Sequence, residues 1–570
     1  MSAILVLAAA ATSLFSSVYG APQPPTTKQA LQCVIGSFTG VVTLPGVVVT
    51  IEKVVSVPER GSYRETGNLG FPQTIDLLPA LCAVTVRVTN TSDVPSKPQS
   101  SYRFGIFLPT EARYNSRMLT VGSASCESDG INWPNMGEGP HYGFATISTD
   151  NGHNSNGSDL SWATPARLYD WGYRALHGSV VVSKLLIEHY YAKPIARSYY
   201  SGCSTGGRQG LREIQYDASA FDGALIGAPA WDTVHLMPWI SRIAVNQLNG
   251  TATTNGKLTP TQMSILAAEV LSQCDRQDGQ TDNIISQPGQ CNFNISTIVC
   301  SNPSTCLTPA QAQTAMGIWA DYTVQNRLIS NGFDLSSEDQ WSVYFGDDTT
   351  LTGFDFDYER YFMYNRTSYT WRDYSDPVTV PDSERINPGQ ATANKFDISA
   401  YRTRGQNKKS GKILMYHGLA DGLISPRSSL LYYNSTMAAM GTTLGDMRSW
   451  FRFFEVPGMQ HCQFSNRYNA PWDFAGAGQA SALRLLPTLG VGLPAVGDGW
   501  SVPGHLNDSN YDALAALVQW VENDKPVDKV IATAFNSDFS VYRTRPICPY
   551  PQRATYVSGD INSASSWRCA

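Results

Sequence analysis

The chain has 570 residues, 42% of them hydrophobic and 15% charged. That composition is globular, too apolar for disorder and without the glycine period of collagen. Acids outnumber bases 47 to 41, for a net charge of −6 with no long basic run, which excludes nucleic acid as the main partner.

At about 150 residues per domain, the length admits either about four domains or one core carrying insertions. Residues 1–20 open the chain with a short Ala- and Leu-rich run, closed by Ser16, Ser17 and small residues around Gly20 and Ala21. This reads as a signal peptide, because the run is well short of the ~20 apolar residues that span a bilayer. No later stretch is long and apolar enough to cross one, so the mature protein is expected to be soluble, secreted and free of the membrane. Sequons at Asn90, Asn156, Asn249, Asn294, Asn365, Asn434 and Asn507 are then candidate glycan sites. Eleven cysteines suit an oxidising compartment. Cys274 and Cys291, Cys300 and Cys306, and Cys548 and Cys569 are close in sequence, and Cys33 and Cys82 could close an N-terminal loop. Cys203 and Cys462 remain, with Cys126 odd, and sequence alone does not fix the connectivity. A zinc site is disfavoured, since no Cys-x-x-Cys pair occurs.

After a Pro-rich segment over 21–28, β-branched and aromatic runs predict strands over 41–49, 83–88 and 103–108, with short buried strands over 118–121 and 144–148. The pattern then alternates: helix 183–191, strand 195–200, helix 207–217 and strand 224–226, which ends at Gly227. Such alternation predicts βαβ units on a mostly parallel sheet. The rhythm breaks between 232 and 400, where helices over 260–271 and 308–319, close cysteine pairs, acids and aromatics suggest an inserted domain. It resumes with strand 412–416, helix 427–440, strand 450–456 and helix 511–522. A single sheet assembled from 21–231 and 401–570, interrupted by 232–400, accounts for the length.

The sharpest local signal is Gly202-Cys203-Ser204-Thr205-Gly206, between a predicted strand and a predicted helix. A nucleophile elbow requires that context, and its glycines permit a turn too tight for side chains. Ser204 is the candidate nucleophile, and the Thr205 amide at the helix N-terminus is a candidate oxyanion donor. A serine needs a base, and the base an orienting acid, in the chain order Ser, Asp or Glu, His. Asp421 lies on a turn after strand 412–416, and His461 follows strand 450–456 beside Gly458. His417 competes with His461, but it precedes Asp421 and is expected to pack under that loop. Cys203 adjoins the serine and Cys462 the histidine. Bonded together, they would tie the elbow to the histidine loop.

This set of motifs resembles the tannase and feruloyl esterase family over nearly the whole mature chain, through Gly202-Cys203-Ser204-Thr205-Gly206-Gly207-Arg208, Asp421 and His461-Cys462. The resemblance implies a secreted carboxylic ester hydrolase, an α/β-hydrolase with the 232–400 insertion as a large lid. It implies Ser204 as nucleophile, His461 as base, Asp421 as orienting acid and a Cys203–Cys462 disulfide. Its substrates would be plant phenolic esters, and the Cys-Ser-Thr elbow leans towards hydroxycinnamates over the gallates of a tannase. A monomer or homodimer is expected. One departure is Val121-Gly122-Ser123-Ala124-Ser125-Cys126, where the family has a Gly-rich loop that would supply the second oxyanion amide. The segment 149–153 also looks like a family motif, without assigned chemistry.

The loop Cys274-Asp275-Arg276-Gln277-Asp278-Gly279-Gln280-Thr281-Asp282-Asn283-Ile284 carries three carboxylates but lacks EF-hand spacing. It resembles the family's lid calcium site, which implies a structural ion held by side chains of Asp275, Asp278 and Asp282 and carbonyls of Gln280 and Ile284, with Cys274 and Cys291 as a clamp. Trp341, Tyr344, Phe354 and Tyr358 would either wall a phenolic ring or form the lid's own core. Two other classes compete with the esterase: an inactive carbohydrate-binding or surface protein on the same fold, and, less well supported, a serine peptidase.

Overall fold

The computed structural model describes residues 30–91, 99–123, 129–156, 160–249, 256–300, 305–345, 356–404, 410–463, 472–479, 505, 507–536 and 540–570. The expected signal peptide over 1–20, Cys126 and Phe354 lie outside these residues.

Among the described residues nine strands form one sheet: β1 (Val47–Val57), β2 (Leu81–Asn90), β3 (Ser100–Pro109), β4 (Arg117–Val121), β5 (Ala145–Thr149), β6 (Arg197–Cys203), β7 (Gly223–Gly227), β8 (Lys412–Gly418) and β9 (Phe451–Val456). Their spatial order is β1-β2-β3-β5-β4-β6-β7-β8-β9. From β5 to β9 every neighbouring pair is parallel, whereas β1, β2 and β3 join the sheet through antiparallel pairing. The expected mostly parallel sheet therefore has an antiparallel flank of three strands. This is an α/β-hydrolase sheet, with the six parallel strands carrying the elbow.

Side-chain alternation sends each strand's residues to opposite faces, and helices cover both. On one face Tyr199, Leu225, Leu414 and Phe454 pack with Leu514 and Leu517 of the helix Ala513–Asn523. On the other, Tyr200, Ile226, Met415 and Phe453 pack with Val180 and Leu186 of helix α1 (Ala175–Tyr191) and with Tyr432. Strands buried on both faces read as continuous apolar runs, which is why β8 and β9 were legible. The edge strand β1 is displaced from the expected 41–49. Pro45 and Gly46 make a turn, with Gly46 at φ 68°, and the strand starts only at Val47. Helix α1 starts eight residues before the expected 183. Gly178 weakens the local pattern, yet it belongs to the helix, where a Cβ would collide with the Tyr102 hydroxyl.

Between β7 and β8 the chain adds no strand to this sheet among the described residues. It forms α3 (Thr233–Asn249), α4 (Pro260–Cys274), α5 (Pro309–Trp319) and α6 (Asp376–Ile386) around a core of its own, including Trp239, Leu266, Ile318, Trp341 and Val380. Two capping boxes start α4 and α5, Thr259 with Gln262 and Thr308 with Gln311, each followed by proline at the first helical position. Among the described residues no helix is long and apolar enough to cross a membrane.

Candidate active site

Helix α2 (Thr205–Tyr216) begins directly after β6, and Ser204 forms the turn between them. Its backbone sits at φ 63°, ψ −124°, a conformation that non-glycine residues adopt only when the surroundings impose it. The flanking glycines make the turn possible. A Cβ on Gly206 would lie 2.5 Å from the Ser123 carbonyl, and one on Gly202 would lie 2.8 Å from the Gly206 backbone. The Thr205 amide is the first of α2, so it has no partner within the helix and faces the turn as a donor. The neighbouring loop does not offer its first two amides. Gly122 donates to the Ser201 carbonyl at 2.9 Å and Ser123 to Gln209 Oε1 at 3.0 Å. Residues 124–128 of that loop lie outside the described residues.

Asp421, fully buried, lies just past β8, and His461 lies past β9. His461 Nδ1 is 2.7 Å from Asp421 Oδ2. The same oxygen meets His417 Nε2 at 2.9 Å, while Asp421 Oδ1 accepts from the Leu423 and Ile424 amides at 2.8 and 2.9 Å. His417 Nε2 also faces the Ile424 carbonyl at 3.0 Å, and Nδ1 lies 2.7 Å from Ser429 Oγ. Two acceptors at Nε2 place the proton there and leave Nδ1 to accept from the serine. His417 thus packs beneath the acid as a buried prop. Burial alone would raise the Asp421 carboxyl. The imidazoles of His461 and His417 outweigh burial and hold it well below the usual carboxylate range.

Ser204 and His461 line the same cavity, of about 160 Å³. Among the described residues no hydrogen bond joins the serine hydroxyl to the imidazole. Such bonds often tighten only when substrate is bound. Cys203 and Cys462 are bonded, with Cα atoms 5.9 Å apart across a sequence separation of 259. Bonds also join Cys33 to Cys82, Cys274 to Cys291, Cys300 to Cys306 and Cys548 to Cys569. Without the Cys203–Cys462 bond the histidine loop can drift from the elbow, and a misplacement of ~1 Å costs about a hundredfold in rate. Replacing both cysteines by alanine is therefore expected to lower turnover by about that factor, far more than it lowers the melting temperature, although cross-linking so long a loop contributes up to a few kcal/mol to stability. Steady-state rates and a melting curve on the double variant check this, and unchanged turnover would refute it.

The cavity walls come from separate segments: Leu160, Trp171, Leu236, Met237, Ile240 and Phe362 supply apolar surface. Of the aromatics singled out in the sequence, Tyr344 and Tyr358 line the cavity, whereas Trp341 is buried in the core of the insertion. The segment 149–153 also finds a place. Asn151 Nδ2 donates to Asp129 Oδ2 at 2.5 Å, and Asp129 Oδ1 accepts from Ser123 Oγ at 2.7 Å. Burial pushes the Asp129 carboxyl up to about 8.

In the acidic loop, Asp275 Oδ1 accepts from the Asp282 and Ile284 amides, each at 3.2 Å. Asp278 accepts from the amides of Gln280 at 3.1 Å and Ser286 at 2.8 Å. Asp282 pairs with Arg545, and its carbonyl accepts from Arg543 at 3.0 Å. Burial raises the Asp275 and Asp278 carboxyls, with the charge of Asp282 adding to the effect. An all-oxygen donor set with surplus negative charge suits a hard cation in kind. The carboxylates are not drawn into a tight group; among the described residues that closeness, within 4.8 Å, is found for His177, Glu213 and Asp217. Of the sequon asparagines, Asn156, Asn294, Asn365 and Asn507 are exposed, and Asn90 and Asn434 are partly buried. The side chain of Asn249 lies outside the described residues.

The family model for tannase and feruloyl esterase matches residues 82–354 and 373–570. A protein of Aspergillus oryzae named probable feruloyl esterase B-1 is 31% identical over 504 residues, covering 86% of this chain and 84% of that one. The crystal structure of feruloyl esterase B from Aspergillus oryzae superposes with a TM-score of 0.80 at 28% identity, covering 94% of this chain and 99% of that one. Tannin acyl hydrolase from Aspergillus niger shares the fold, with a TM-score of 0.69 at 18% identity over 94% and 95% of the two chains.

Proposed function

The chain belongs to the tannase and feruloyl esterase family, and from that premise we propose that it hydrolyses esters of plant phenolic acids, hydroxycinnamates ahead of gallates, through Ser204, His461 and Asp421. Ser204 attacks the ester carbonyl while His461 takes its proton, and the Thr205 amide holds the developing oxyanion. The alcohol leaves with the proton from His461, and water activated by the same imidazole releases the acid. Asp421 holds Nδ1 protonated and stabilises the imidazolium.

The preference for hydroxycinnamates rests on the polarity of the cavity. Its tyrosine hydroxyls are already engaged: Tyr344 donates to the Leu423 carbonyl at 2.5 Å, and Tyr358 bonds Ser383 Oγ at 3.2 Å. The Arg208 guanidinium donates to the carbonyls of Gly172 and Ala391 and lies over the Trp171 ring at 4.4 Å. A galloyl ring would lose water from three hydroxyls and meet few partners, whereas a feruloyl ring has one hydroxyl and an apolar methoxy group. Each unpaired polar group costs about 1–3 kcal/mol, so kcat/KM for methyl ferulate should exceed that for methyl gallate by at least about tenfold. Parallel turnover measurements test this, and a faster gallate reaction would reverse the assignment.

The five disulfides and the exposed sequons support export with glycans on Asn156, Asn294, Asn365 and Asn507 as part of this reading. The Asp275–Ile284 loop is assigned to a structural calcium ion, held by Asp275, Asp278, Asp282 and the carbonyls of Gln280 and Ile284. When bound it would supply charge neutralisation, and none of these loop residues lines the cavity that holds Ser204 and His461. A ligand that binds only the native state raises stability by mass action. EDTA should therefore lower the melting temperature and added calcium should restore it, with kcat at 25 °C little changed. A melting curve indifferent to both would remove calcium from the assignment.

A further inference from the structure

The two loops carrying the acid and the base are joined by one atom from the insertion. Gln340 Oε1 accepts from the Gly422 amide at 3.0 Å and from the His461 amide at 3.1 Å. We propose that Gln340 is a positioning residue for catalysis, fixing the backbones from which Asp421 and His461 project. The inference rests on the catalytic reading of those residues, and it makes the insertion part of the active-site framework as well as its cover.

The geometry around Gln340 is suited to that task. The residue ends the short turn Glu338–Gln340. Immediately after it, Trp341 is fully buried in the insertion's core, with its indole N–H on Ser337 Oγ at 3.1 Å. The backbone of Gln340 is therefore anchored by one of the largest side chains in that core. On the other side, Gly422 fits flush against the turn. A Cβ there would lie 2.5 Å from the Ser337 carbonyl and 2.8 Å from Gln340 Cβ. The acid loop has further ties to the insertion, from Tyr344 to the Leu423 carbonyl and from Ser425 Oγ to the Gly332 carbonyl at 2.7 Å. The contact to His461 is different. It reaches the amide of the base itself, one residue before Cys462, whose backbone lies at φ 64°. The disulfide restrains this turn from the elbow side and Gln340 from the insertion side, so the imidazole projects from a peptide held at both ends.

Methionine at 340 keeps the length of the side chain and removes the acceptor. Glutamate keeps an acceptor and adds charge. Gln340→Met should lower kcat about 10- to 100-fold, leave KM within about twofold, and slow inactivation by a small fluorophosphonate, which reports Ser204 reactivity without filling the acyl cavity. Gln340→Glu should retain most of kcat. Its added negative charge favours the imidazolium, so the acid limb of its kcat/KM profile should move to higher pH. Wild-type kcat in Gln340→Met would overturn the inference. So would equal losses of kcat and melting temperature in both variants, which would mark a residue that only holds the fold. Mapping the fluorophosphonate adduct in the wild-type protein separates the two levels. Labelling away from Ser204 would end the catalytic reading itself, whatever the variants do.

Discussion

Replacing Ser204 by alanine should abolish ester hydrolysis while leaving the protein as stable as before. The expected loss is about 10⁵- to 10⁶-fold in kcat, with a remainder due to binding and the oxyanion donors. Stability should hold because the side chain contributes little to the fold. Ser204 is half-buried and its hydroxyl forms no hydrogen bond among the described residues. The backbone strain at φ 63° is the same for alanine, which also carries a Cβ. Turnover of a chromogenic ester, read beside a melting curve, checks both halves. A well-folded variant with near-wild-type rates would end the assignment of the nucleophile, and with it the choice of an esterase over an inactive relative of the same fold.

The elbow was legible from sequence because its constraints are local. A buried strand, a turn needing glycine on both sides of Ser204 and a helix all fall within a short run of residues. Asp421 and His461 were legible for a related reason, since each follows a strand that is buried on both faces and therefore reads as an unbroken apolar run. Cys203 and Cys462 gave the long-range link, because they adjoin residues already selected on other grounds. Elements with conflicting local signals were lost or shifted. Pro238 sits inside α3 and hides it, as Pro381 hides α6. Apart from Tyr344 and Tyr358, the cavity wall left no trace in the sequence. Leu160, Trp171, Ile240, Phe362 and Leu423 meet only after the insertion folds back over the sheet, and no spacing encodes that meeting. Trp341 and Tyr344 lie three residues apart and part ways, one to the core of the insertion and one to the cavity wall. Gln340, a polar residue beside them, has nothing in its local sequence to mark it.

Asp421→Asn should be nearly as damaging as loss of the serine, and for a reason visible in the four bonds the carboxylate accepts. One oxygen faces the Leu423 and Ile424 amides, and the other faces His461 Nδ1 and His417 Nε2. An asparagine has one acceptor and one donor in their place. If its NH₂ turns towards the backbone, it meets two N–H groups. If it turns towards the histidines, His461 must present a bare Nδ1, and the proton moves to Nε2, where the base needs a lone pair. The second orientation disrupts fewer fixed groups, because an imidazole can change tautomer and an amide cannot. The variant should therefore fold with His461 in the wrong tautomer, with kcat down by about 10⁴ and KM little altered. It should also melt lower than the wild type, since a buried donor is left facing the N–H of His417. The sign of the pH dependence follows from the depressed Asp421 carboxyl. Its bonds stabilise the wild type fully above the ordinary value of about 3.9 and lose that effect as pH falls through the lower folded value. The difference in melting temperature between wild type and variant should thus be full at neutral pH and shrink in strongly acidic solution. A variant within about tenfold of wild-type kcat would show that Asp421 does not orient His461.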